Sequence, residues 1–134
     1  MSPARRELLA DIARTTDAAE AVTQMMISMT LATHRGLRSV LPGMPGPTTA
    51  ELDAALQAQR PQMIQAFGVL SVASNALAYE GLGDDELGQY LAFLRSPAGQ
   101  HANQVGVRAF TAALVAAAAD MGQRLPGSSD KANT

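Results

Sequence analysis

The chain has no cysteine and no tryptophan, and its only aromatic residues are three phenylalanines and two tyrosines. Without cysteine it can form neither a disulfide framework nor a thiolate metal site. Charge is also scarce, at 16% of residues with a formal net charge of −2. Nine of the ten basic residues are arginines, the other is Lys131, and no basic run is longer than Arg5-Arg6. Sequence-independent binding of nucleic acid requires a concentrated basic surface, so no nucleic-acid partner is expected. A disordered chain would carry fewer apolar residues than the 47% present here, and a larger net charge.

What the chain does have is alanine, about a fifth of all residues, together with leucine, glutamine, methionine and arginine. These side chains lose little rotamer freedom in a helix, and β-branched residues are few. The expected fold is all-α: a compact irregular bundle of about five or six helices forming one domain over residues 1–125, followed by a disordered tail over 126–134.

Capping chemistry places the elements. Ser2-Pro3 puts a hydroxyl before a proline at the first helical position. Asp17 and Glu20 have capping-box spacing for a second helix, which carries Val22, Met25, Met26, Met29 and Leu31 toward Gly36. Residues 41–47 hold three prolines and two glycines and read as a mobile loop. Thr48 and Glu51 form a second capping box, and Pro61 is expected to kink or break the helix that follows.

The nineteen residues from Pro61 to Tyr79 contain no charge. Gln62, Gln65, Ser71, Ser74 and Asn75 are spread around that stretch and are costly in lipid, so it reads as a central helix buried nearly all round. Leu87, Tyr90, Leu91 and Leu94 follow the i, i+3, i+4, i+7 rule of an amphipathic helix. Ser96-Pro97 closes it and opens a last helix with Val107, Phe110, Leu114, Ala118 and Met121 on one face. The alanine run from Ala112 to Ala119 is too short and too weakly apolar to span a bilayer, and no transmembrane segment is expected.

One segment has a family likeness. Tyr79, the acidic start Asp84-Asp85-Glu86 before Leu87, then Phe93 and the run Ser96-Pro97-Ala98-Gly99-Gln100 ahead of an alanine-rich helix resemble the bacterial family known as domain of unknown function 2059. The upstream stretches Arg6-Glu7-Leu8-Leu9 and Gln24-Met25-Met26 are similar to its amino-terminal half. The resemblance extends from about Arg5 to Leu125, with its specific part between Tyr79 and Gln100. It implies a periplasmic or exported protein. Such proteins are usually made with a signal peptide, whereas Met1-Ser2-Pro3 leads directly into an amphipathic helix, which leaves a cytoplasmic location as the alternative. Turn chemistry accounts for the motif without catalysis: Ser96 caps, Pro97 sets φ, Gly99 leaves room at a tight corner and Gln100 bridges a neighbouring carbonyl.

Candidate chemistry is sparse. His34 and His101 lie far apart in sequence, with no metal-ligand spacing around either, and suit surface or capping roles. Asp84, Asp85 and Glu86 complement a helix dipole better than they make a calcium site. Met25, Met26 and Met29, with Met63 and Met121, could offer soft sulfur to Cu(I), but a methionine stripe is more often core filler. No catalytic, cofactor or metal site is assigned, and no cofactor is expected. The expected function is a non-catalytic interaction or structural module of the bacterial envelope, docking another protein or self-associating through an apolar face. A carrier is the alternative, holding a lipid-like or other apolar ligand in a cavity lined by Met25, Met29, Met63 and Phe67. An enzyme is a distant third.

Overall fold

The computed structural model describes residues 1–132, which form five α-helices: α1 (Pro3–Thr15), α2 (Ala18–Val40), α3 (Thr49–Ala78), α4 (Asp84–Arg95) and α5 (Pro97–Ala132). No strand occurs among the described residues, and the fold is all-α. Two of the capping signals act as spelled. The Ser2 hydroxyl accepts from the Arg5 N–H at 3.1 Å. Thr48 and Glu51 cap reciprocally, Glu51 Oε2 accepting from the Thr48 N–H at 2.8 Å and Thr48 Oγ1 from the Glu51 N–H at 3.2 Å.

Where the sequence reads as one domain over 1–125, the chain divides into two compact units. The first comprises Met1–Thr23 and Pro61–Arg108. Its core joins α1 to α4: Leu9, Ile12, Leu87, Leu91 and Leu94 are all buried, with Leu8, Val72, Ala76, Tyr79 and Tyr90 packed around them. Each such leucine contributes about 1.5–3 kcal/mol by leaving water.

The second unit comprises Gln24–Arg60 and Ala109–Thr134. Here α2 meets α5 through small residues. Ile27, Leu31 and Ala32 of α2 and Ala118 of α5 are buried, and the backbones come close at Gly36 and Gly122. A Cβ on Gly36 would lie 2.3 Å from the Ala119 carbonyl oxygen, and one on Gly122 would lie 2.2 Å from that of Thr33. The loop over residues 41–48 is tied back by Arg38, whose guanidinium donates to the carbonyls of Gly46 at 3.1 Å and Pro47 at 2.8 Å.

Several boundaries and faces differ from the sequence reading. Asp17 does not cap α2 in the usual way: its φ of 49° is left-handed, whereas a capping residue is extended. It serves as a one-residue elbow after the Thr16 cap of α1, a conformation that aspartate tolerates better than most residues. α2 continues past Gly36 to Val40, because Gly36 is a packing position and not a stop. α3 passes through Pro61, and α5 passes through Pro126 to Ala132, where a tail was expected over 126–134. Proline's fixed φ is itself helical, so the helix continues at the cost of one backbone hydrogen bond. Residues 133–134 of that expected tail lie outside the described residues.

The uncharged stretch is not buried all round. α3 has no fully buried residue, and Val69, Leu70 and Leu77 stand 74%, 56% and 75% exposed. Absence of charge says nothing of how many neighbours a helix has. On α5 the inward stripe runs through Val107, Thr111, Leu114, Ala118 and Gly122, leaving Phe110 and Met121 exposed on its flank.

Candidate functional site

The segment from Tyr79 to Gln100 is built by α3, α4 and the start of α5 within the first unit, and its polar groups close helix ends. Arg5 reaches from α1 to the α3–α4 turn, donating to the Tyr79 carbonyl at 2.8 Å, the Leu82 carbonyl at 2.9 Å and the Asp84 carboxylate at 2.8 Å. The Glu86 carboxylate accepts from the Gly83 N–H at 2.7 Å, closing the first turn of α4. Leu87 turns into the core, while Phe93, half exposed, does not. Tyr79 stacks at a tilt on Tyr90, with ring centroids 5.5 Å apart. Burial, then hydrogen bonding with Tyr90, pushes the Tyr79 phenol up to about 12.

The corner between α4 and α5 is equally occupied. The Ser96 hydroxyl donates to the Phe93 carbonyl at 2.5 Å and accepts from the Gly99 N–H at 3.1 Å, with Pro97 opening α5. A Cβ on Gly99 would sit 2.0 Å from the Phe93 oxygen, so no side chain fits there. The Gln100 amide donates to the Leu94 carbonyl at 2.7 Å and the Thr15 carbonyl at 3.3 Å, and Asn103 donates to the Thr16 carbonyl at 3.2 Å. These amides satisfy carbonyls that the ends of α1 and α4 leave open. The motif thus joins helices, and the side chains of Asp84, Glu86, Ser96 and Gln100 are engaged in doing so.

The histidines do not converge with acids. His34 Nδ1 lies 2.9 Å from Thr49 Oγ1 in the second unit, joining α2 to the start of α3, and His101 is exposed in the first. Among the described residues no three of His, Cys, Asp or Glu group as metal ligands. The candidate cavity residues divide between the units: Met25 and Met29 are half-buried on α2 in the second, and Met63 and Phe67 half-buried on α3 in the first. Of the four, Phe67 borders a hollow of about 200 Å³, shared with Val22, Leu70 and Asn75.

A larger groove in the first unit was not foreseen. Ala10 and Ala13 of α1, Ala18 and Ala19 of α2, and Gly68 and Val72 of α3 enclose about 440 Å³. Arg14, Asp17 and Glu20 stand at its rim, and Ser71 lies between it and the Phe67 hollow. Alanines on α1 and α2 and Gly68 on α3 create the space, a signal that is present in the sequence but dispersed over about sixty residues of chain. The Asp11 carboxyl beside it is held below the usual carboxylate range, first by its hydrogen bond from Arg14.

The two longest helices keep several apolar side chains outside. On α3 these are Val69, Leu70 and Leu77; on α5 they are Val105, Phe110, Met121 and Leu125. By length and composition Pro97–Pro126 could cross a membrane, and only 11% of its most apolar window is buried in the protein. A helix apolar all round is normally covered on every side. No protein-family model, curated protein or solved structure matches the chain.

Proposed function

We propose that this protein is a non-catalytic helical interaction module that docks another protein through the outer faces of α3 and α5. The observation that carries this reading is the exposure of Val69 and Leu77 on the uncharged part of α3, at 74% and 75%, and of Phe110 on α5, at 57%. Exposed apolar residues grouped along one helix mark a surface that another molecule covers. The absence of catalysis is supported by the motif's polar atoms, which are committed to backbone groups at the helix ends. We read α5 as protein-facing and not membrane-spanning because it carries Arg108 and the Asp120–Arg124 ion pair, charges that are costly in hydrocarbon. Membership in the domain of unknown function 2059 family, and the envelope location it implies, are proposed on the motif resemblance alone.

A photo-reactive phenylalanine analogue placed at Val69 and, separately, at Phe110 tests the reading in the source cells. Each position is expected to give a discrete adduct on irradiation, while the same probe at exposed Gln57, on the outer side of α3 in the second unit, gives none. Uncrosslinked chain alone from both apolar positions refutes the docking role. An apolar-ligand carrier is the second reading, supported by Phe67 at the edge of the small hollow.

A further inference from the structure

We propose that the groove between α1, the start of α2 and α3 binds a small amphiphilic organic cation, its ammonium group at Asp17 and its apolar body on the alanine and Gly68 floor. The groove itself contains none of the exposed side chains of the docking faces, and only the adjoining hollow shares one of them, Leu70. The volume, about 440 Å³, falls in the range of small-molecule sites, and the floor is apolar. The adjoining hollow at Phe67 and Leu70 shares Ala18 and Ser71 with it, extending apolar surface along α3 for an elongated ligand.

The charge of the rim selects the sign of the head group. Arg14 pairs with Glu7 at 2.8 Å and with Asp11, and Asp11 also takes Arg95 at 3.1 Å. Those two arginines and two acids neutralise one another. Glu20 has an interaction of its own. Asp17 remains: its side chain makes no hydrogen bond or ion pair among the described residues, and its left-handed backbone sets it at the junction that forms one edge of the groove. One uncompensated carboxylate above an apolar floor is complementary to one cation with an apolar body, and a carboxylate ligand would meet repulsion there.

Octylammonium, octanoate and 1-octanol, titrated separately into the isotope-labelled full chain and followed by amide chemical shifts, test this. Octylammonium is expected to give saturable shifts confined to residues 10–22 and 67–75, and to bind more tightly than octanoate. Asp17→Asn, which keeps the tolerance for positive φ, weakens octylammonium about three- to fivefold, as befits an exposed ion pair, and leaves 1-octanol unchanged. Gly68→Leu fills the floor and abolishes the shifts for all three probes. Ser71→Leu serves the same purpose if circular dichroism shows that the first variant does not fold. Octanoate binding as tightly as octylammonium, an unaltered affinity in Asp17→Asn, shifts spread over the whole chain, or no saturable shift at all would each overturn the proposal.

Discussion

At the scale of single residues, the glycines separate two roles that look alike in sequence. Gly99 faces the Phe93 carbonyl oxygen at a distance no Cβ tolerates, while Gly88 on α4 and Gly106 on α5 have nothing within 4 Å of where a Cβ would stand. Gly99→Ala is therefore expected to destabilise by about 1–3 kcal/mol through forced backbone displacement. Gly88→Ala should stabilise by about 0.5–1 kcal/mol, because alanine gives up less backbone freedom in a helix interior. Urea unfolding of the two variants checks the pair, and equal effects would contradict the packing account. The Ser96-Pro97-Ala98-Gly99-Gln100 corner was legible beforehand because its signals are local: a hydroxyl cap, a proline at the first helical position and a small residue a turn later. Arg5 was not legible, since its partners lie more than seventy residues away and nothing in the spacing announces them.

At the scale of elements, helix type and number follow from composition and capping, whereas helix faces do not. Thr48 stands immediately before α3 and Glu51 in its first turn, and their reciprocal bonds form. Asp17 and Glu20 have the same spacing, yet Asp17 turns left-handed because only one residue of elbow separates the end of α1 at Thr16 from α2. A kink or break is expected at Pro61 and a tail from Pro126, and each proline is carried inside a helix. The pairing of α2 with α5 rests on Ala32 and Gly36 on one side and Ala118 and Gly122 on the other, each pair one turn apart. That small-residue spacing was visible in the chain but is silent about which helix it meets. Gly36→Ala and Gly122→Ala should each cost about 1–3 kcal/mol despite alanine's better helix propensity, because the added methyl meets a backbone carbonyl that has no room to retreat. Thermal melts of the two variants check this, and a raised midpoint in either would show that α2 and α5 do not pack through these glycines.

At the scale of the whole molecule, the chain holds two compact units where composition suggested one domain, and it leaves apolar side chains outside on its two longest helices. Hydropathy alone could not separate these outcomes. A buried helix and an apolar helix awaiting a partner share the same composition and differ only in what surrounds them. The candidate site was legible in the same limited way: the motif residues were found, and their contacts close helix ends, whereas the groove at Asp17 arises from small residues contributed by three helices.

On the docking reading, the apolar side chains on the outer face of α3 serve a partner and not the fold. Urea unfolding of the double variant Val69→Gln and Leu77→Gln, beside Leu91→Ala in the core, tests it most directly. The double variant should unfold within about 0.5 kcal/mol of the parent chain, as surface substitutions do, while Leu91→Ala loses about 2–5 kcal/mol. A loss in the double variant comparable to that of Leu91→Ala would show that Val69 and Leu77 belong to the folded core, and would contradict the account.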